Sequence, residues 1–289
     1  MTDLYRDDVT GKETTGHEWD GIRELNTPLP KWWLMVLYAC ILWSIGYWVV
    51  YPAWPSLTSY TKGVIGYNSR ADLSNQIASA AEAQAHWLDA IENTSPEAIA
   101  NDPELLNFAM AGGRATFNEN CAPCHAVGGA GRPGFPVLAD DEWIWGGTLA
   151  DISLTLQHGI RAADNADTRN NLMPRFGADQ ILDQNQINDV AEFVLSLGNR
   201  AEDSAAAERG RQLFADNCAA CHGPAGEGVR ELGSPNLADE IWLYGADKAG
   251  IVAQIYQPRM GVMPAWGERL DSARIKMLAV YVHSLGGGE

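Results

Sequence analysis

Two stretches of this chain are near copies of each other. GRATFNENCAPCHAVGGAG, opening at Gly113, is answered by GRQLFADNCAACHGPAGEG, opening at Gly210. Gly113 matches Gly210 and Phe117 matches Phe214. Cys121, Cys124 and His125 match Cys218, Cys221 and His222, all at a constant offset of 97 positions. The correspondence continues downstream. LADDEWIWGG pairs with LADEIWLYG, Met173-Pro174 with Met263-Pro264, and AEFVLSLG (Ala191 to Gly198) with AVYVHSLG (Ala279 to Gly286). An internal repeat of this kind fixes the architecture before any single helix is considered. Two homologous modules follow one another, joined near Arg200 to Ala207 by a polar, alanine-rich hinge.

The residues shared by the modules carry one chemistry. Cys-x-x-Cys-His, at the end of a short helix, sets two thiols facing one way and a histidine next to them. Two thiols so placed can add to the two vinyl groups of one porphyrin, and the histidine then lies under the iron as proximal ligand. A zinc site would need further cysteines or histidines at matching spacing, and a thioredoxin-like pair a βαβ context. The fifth cysteine, Cys40, lies in an apolar run and reads as a small helix residue. Covalent haem c, one per module, is therefore the expected cofactor. Met173 in NLMPRFG and Met263 in GVMPAWG supply the expected sixth ligand, 48 and 41 residues after the respective histidines. Thioether sulfur is a soft ligand that favours ferrous iron, and the following proline stiffens its strap. Each methionine is expected to serve its own module, although two adjacent homologous modules could exchange these straps. Met110 and Met277 read as core residues. Met260, three residues from Met263, has no counterpart in the first module. His86, His158 and His283 read as linker, structural and surface or packing residues.

Helical spacing completes each module. Ile187, Val190, Phe193, Val194 and Leu197 form one apolar stripe between Asp183 and Leu197. Ile275, Leu278, Tyr281, Val282 and Leu285 form another between Asp271 and Leu285. Phe193 and Tyr281 are expected to pack against the opening helices beside Gly113 and Gly210. The fold class is mainly α: an N-terminal transmembrane helix, then two tandem helical haem modules, which resemble class I cytochrome c domains. The domain reading is an N-terminal segment 1–31, a span 32–52, a linker 53–107, a first haem module 108–200 and a second 205–289.

The span is WWLMVLYACILWSIGYWVVY, Trp32 to Tyr51, twenty residues without a charge. At 1.5 Å per residue this covers roughly 30 Å, the hydrocarbon thickness of a bilayer. Trp32, Trp33, Trp48, Tyr51 and Trp54 mark its ends, as interfacial aromatics do. A cleavable signal is disfavoured by the polar residues that precede the run and by the lack of a small-residue cleavage site after it. Arg23 and Lys31 before it, against Lys62 after it, bias the N-terminus to the cytoplasmic side. Thioether attachment outside the bacterial cytoplasm agrees. Between the span and the repeats, Asp72 to Glu92 reads as a linker helix, and Ser95-Pro96 as the cap and first position of a short one. The net charge of −17 argues against nucleic acid and suits the steering of a basic partner.

Each repeat resembles class I cytochrome c. With TGHEWDGIRELNTPLPKWW ahead of the anchor, nearly the full length resembles the dihaem subunit III (CcoP/FixP type) of cbb3-type cytochrome c oxidases. That resemblance implies a non-catalytic electron-transfer subunit in the bacterial inner membrane, with a cytoplasmic N-terminus and periplasmic haem domains. It would accept electrons from a soluble or membrane-bound donor cytochrome c and pass them, by way of a monohaem cytochrome subunit, to the catalytic subunit that reduces oxygen. Such complexes serve aerobic or microaerobic respiration with proton pumping. A stand-alone anchored dihaem carrier for another dehydrogenase or reductase is the alternative, and a dihaem peroxidase ranks lower because Met173 and Met263 fill both sixth positions.

Overall fold

The computed structural model describes residues 5–286, and the chain divides into two compact units, Met1–Glu82 and Ala83–Glu289. In the first, strand β1 (Thr14–Trp19) pairs antiparallel with β2 (Ile22–Leu25). The hairpin turns at Asp20 and Gly21, both at positive φ, which is the chemistry that two-residue hairpin loops demand. Helix α1 (Lys31–Val50) follows Pro30, and none of its side chains is buried. Its twenty residues, charged only at Lys31, are long and apolar enough to suit a membrane span, within a residue or two of the expected bounds. Helix ends leave carbonyls without partners. Here the chain folds back, so that Val64 N–H donates to the Val49 carbonyl at 3.0 Å and Ile65 N–H to that of Val50 at 3.4 Å. Gly63, at φ +70, makes this return possible: a Cβ there would overlap the Val50 carbonyl.

Helix α2 (Ser69–Glu92) starts three residues earlier than the alanine pattern suggests. Ser95 accepts from the Ala98 N–H and opens α3 (Pro96–Asn101), as its cap chemistry predicts. Asp102 likewise caps α4 (Pro103–Asn120), which runs into the single turn α5 (Ala122–His125). Then come α6 (Leu149–His158), capped by Thr148, and α7 (Gln184–Leu197), opened by an Asp183/Gln186 capping box. The second module repeats the order: α8 (Ser204–Asn217), α9 (Ala219–His222), α10 (Lys248–Tyr256) and α11 (Ser272–His283). Residues 204–207, expected in a hinge, form the first turn of α8.

The packing departs from sequence order. Helix α7 lies against α8 and α10, while α11 lies against α4 and α6. Phe193 meets Phe214 at 5.0 Å between ring centroids, and Tyr281 meets Phe117 at 5.4 Å. The glycines say the same. A Cβ on Gly210 would meet Phe193 Cβ at 3.0 Å, and one on Gly113 would meet Tyr281 Cβ at 2.7 Å. Each sequence repeat thus gives its last helix to the other. One cause is the short connection between α7 and α8. Only residues 198–203 separate them, and so few residues turn a chain back on itself, making the two helices antiparallel neighbours. That occupies the face of α8, and α11 then covers α4.

Two cores result. One gathers Phe176, Leu182, Ile187, Val190, Phe193 and Val194 with Phe214, Cys218, Ile251 and Ile255. The other gathers Phe117, Cys121, Ala122, Ile152 and Leu156 with Ile275, Leu278, Tyr281 and Val282. A third cluster behind α4 joins Ile91, Ile99 and Leu149 to Met277 and Val280, so Met277 is the core residue its setting suggested.

Candidate haem sites

Both Cys-x-x-Cys-His segments close as one helical turn. His125 N–H donates to the Cys121 carbonyl at 2.9 Å, and His222 N–H to that of Cys218 at 2.9 Å. Neither cysteine pair forms a disulfide; in each, the first sulfur is buried and the second exposed. Burial, reinforced by the neighbouring Cys124 or Cys221, pushes the Cys121 and Cys218 thiols up to about 11. Both sulfurs therefore stay protonated at neutral pH.

The loop after each turn is also repeated. Gly131 N–H donates to the His125 carbonyl and Leu138 N–H to that of Gly129; Gly228 and Leu237 do the same toward His222 and Gly226. These loops carry Pro136 and Pro235 to the histidines. His125 Nδ1 donates to the Pro136 carbonyl at 3.1 Å, and His222 Nδ1 to the Pro235 carbonyl at 3.1 Å. Such a bond fixes the tautomer and leaves Nε2 as a bare lone pair, the arrangement of a metal-ligating histidine. Burial holds both imidazoles below their ordinary range, against the smaller opposing pull of the carbonyls, so both are neutral and competent to ligate. Two adjacent thiols and one oriented imidazole are the groups that c-type haem requires, and these residues fit it.

The methionines sit where the packing puts them. Met263 packs in the core that holds Cys121 and Ala122. Met173 packs in the core that holds Cys218 and Ala219. Each methionine thus packs with the Cys-x-x-Cys-His turn of the other module, whereas sequence order led to the expectation that it serves its own. The straps are anchored in the same exchanged sense. Met263 N–H donates to the Ile160 carbonyl at 2.9 Å and Ile160 N–H to the Met263 carbonyl at 3.0 Å, so the second module's strap is stitched to the end of α6. Gly159, at φ +68, allows that approach, since a Cβ would overlap the Met263 carbonyl. On the other side, Gly177 and Ala178 N–H both donate to the Tyr256 carbonyl at the end of α10.

The remaining candidates have other occupations. His158 Nδ1 meets the Asn165 side chain at 3.3 Å, and His86 lies edge-on to Trp87. Among the described residues, no group of three or more His, Cys, Asp or Glu side chains could hold a metal ion. Sequence reasoning passed over Glu192, on α7. It is fully buried, takes Lys248 Nζ at 2.6 Å and accepts from the N–H groups of Glu202 and Asp203. Its signal is visible in AEFVLSLG against AVYVHSLG, where a charge stands opposite Val280.

Known proteins match this chain along its length. The profile of the N-terminal domain of cytochrome oxidase-cbb3, FixP, matches residues 11–58. Cytochrome c matches residues 110–198, and cytochrome c oxidase, cbb3-type, subunit III matches residues 205–282. A cbb3-type cytochrome c oxidase subunit CcoP of Azospirillum brasilense is 56% identical, with all of both chains covered. The FixP subunits of Sinorhizobium medicae and Bradyrhizobium diazoefficiens are 52% and 51% identical, again over the whole of each chain. Two cytochrome c domains imply two covalently bound haem c groups. The chain belongs to the CcoP/FixP family of cbb3-type cytochrome c oxidase subunits, membrane-anchored cytochromes c that transfer electrons.

Proposed function

We propose that this chain is the electron-entry subunit of a cbb3-type oxidase. It takes electrons from a donor cytochrome c and relays them through a monohaem cytochrome subunit to the oxygen-reducing subunit. Bound haem c supplies a one-electron iron couple at each site. The chain's own residues do the rest. Cys121 and Cys124 would hold one haem and Cys218 and Cys221 the other, with His125 and His222 as iron ligands. Met263 would be the second protein ligand on the His125 side and Met173 on the His222 side. The carbonyls of Pro136 and Pro235 orient the imidazoles, and the two cores exclude water. Haem held by His125 with Met263, and by His222 with Met173, would leave oxygen or peroxide no open position on the iron, which favours relay over catalysis.

The observation that carries this reading is the twofold match at the sites: an oriented imidazole on its own turn, with the partner module's methionine in the same core. The proposed setting is the bacterial inner membrane, spanned once by α1, with the N-terminus cytoplasmic and the haem domains periplasmic. Mild affinity purification from native membranes tests the assignment. Co-purifying haem b, copper and oxygen uptake with reduced cytochrome c are expected. A lone dihaem preparation without oxygen uptake would contradict it.

A further inference from the structure

The two modules differ between the end of the third helix and the methionine. The first module takes 48 residues from histidine to methionine and the second 41. Fourteen residues, 159–172, separate α6 from Met173, against six, 257–262, between α10 and Met263; the longer stretch includes the turn of residues 162–168 between Arg161 and Arg169. Arg161 leaves α6 at φ +53, a left-handed backbone that costs a branched or long side chain energy and persists only where the surroundings demand it. Its guanidinium reaches in two directions. Nε donates to the Gly261 carbonyl at 2.7 Å, and Nη1 donates to the Asn171 carbonyl at 3.3 Å. Gly261 stands two residues before Met263, and Asn171 stands two residues before Met173.

We infer that Arg161 is a positioning residue for both haems at once, a single fork that fixes the two methionine straps where they cross. The inference rests on methionine ligation as proposed above. Backbone pairing leads the straps to the same place. Ile160 bridges Met263 on one side and Arg169 on the other, and Arg161 N–H donates to the Arg169 carbonyl at 2.8 Å. The Met173 strap has a second tie of its own, Asn171 Nδ2 to the Leu232 carbonyl at 2.7 Å. Arginine suits the clasp because its planar donors point in fixed, divergent directions that the single nitrogen of lysine does not reproduce. Both of these partners are neutral carbonyls. The positive charge is therefore only partly offset in a half-buried position, where it disfavours the oxidised, more positive form of each nearby iron. Burial also holds the guanidinium below its ordinary range.

The test uses the full-length, haem-loaded chain in detergent, read by its ferric sulfur-to-iron absorption band and a two-step redox titration. Arg161→Gln is expected to weaken the band at both haems and to lower both midpoint potentials together. Asn171→Ala, which removes only the tie to Leu232, is expected to move one step and leave the other in place. Arg161→Lys keeps the charge without the fork, so the band loss should persist with a smaller drop in potential. A change confined to one haem in Arg161→Gln, or full recovery with lysine, overturns the clasp. If Arg161→Gln does not fold, the lysine variant still decides the matter. Met173→Ala and Met263→Ala check the underlying reading separately, since each must abolish half of the band. If neither does, ligation by methionine fails, whatever Arg161 does.

Discussion

At the scale of single residues, the pair Glu192–Lys248 explains why the helices exchange as they do. Glu192 on α7 is fully buried and meets Lys248 at the first position of α10. The equivalent positions on the other side are Val280 on α11 and Leu149 at the first position of α6, and these share one apolar cluster. If each module kept its own last helix, Glu192 would face Leu149, leaving a buried charge without its partner, while Val280 would face Lys248. Breaking a buried pair costs several kcal/mol, and this asymmetry therefore selects the exchanged arrangement. Lys248→Leu should destabilise the haem-bearing unit by about 2 kcal/mol in denaturant titration, discounted for the lysine's partial exposure. The double variant Glu192→Val/Lys248→Leu, which copies the apolar side, should recover part of that loss. The pH dependence has a definite sign. Burial pushes the Glu192 carboxyl up, but Lys248 and the Asp203 and Glu202 N–H groups outweigh it and hold the folded value below the usual carboxylate range. Its stabilisation is then complete above the unfolded value and is lost as pH falls through the folded one. Glu192→Gln should flatten the acid limb of the stability profile; an unchanged limb would remove Glu192 from the account.

At the scale of elements, the close approach of α11 to α4 and of α7 to α8 depends on two glycines. An alanine at Gly113 would overlap the Met277 carbonyl, and one at Gly210 would overlap that of Asp189. Backbone gives way less than side chains do. Each Gly→Ala variant should therefore cost about 1–3 kcal/mol by thermal or chemical unfolding. A sharper consequence concerns truncation. A chain ending at Gly198 keeps α4–α7 but lacks α11, which covers α4. It should lack a cooperative unfolding transition and fail to give a His/Met spectrum at the first haem. A truncated chain that folds and shows the sulfur band would mean that α7 can serve its own module. Much of this level is readable in the sequence. The Cys-x-x-Cys-His turns, the Met-Pro straps, the caps at Ser95 and Asp183 and both apolar stripes announce themselves by spacing. Asp20-Gly21 announces a hairpin that the polar N-terminal segment otherwise conceals. The exchange is less legible. Phe193 and Tyr281 present the same face to glycines that are themselves equivalent, so periodicity alone fits either pairing. Only the short 198–203 connection and the odd charge at Glu192 break the symmetry. Arg161 is hidden for a different reason: its partners are backbone carbonyls, one 100 residues away in sequence and the other 10, which no side-chain pattern records.

At the scale of the whole molecule, anchor, charge and cofactors act together. Beyond residue 52 the chain carries 16 basic and 30 acidic side chains. A surface of that sign would steer a basic donor over distances comparable to the Debye length, roughly 8 Å at physiological ionic strength. Electron transfer from a basic cytochrome c should slow as salt rises, mostly through the association rate in stopped-flow experiments. A salt-independent rate would leave the acidic surface to solvation alone.

The central claim is that each haem takes its histidine from one module and its methionine from the other. A density map of the haem-loaded chain in its native membrane complex tests this most directly. The account predicts Met263 sulfur on the iron held by His125 and Met173 sulfur on the iron held by His222. Met173 on the His125 iron, with Met263 on the His222 iron, would contradict it.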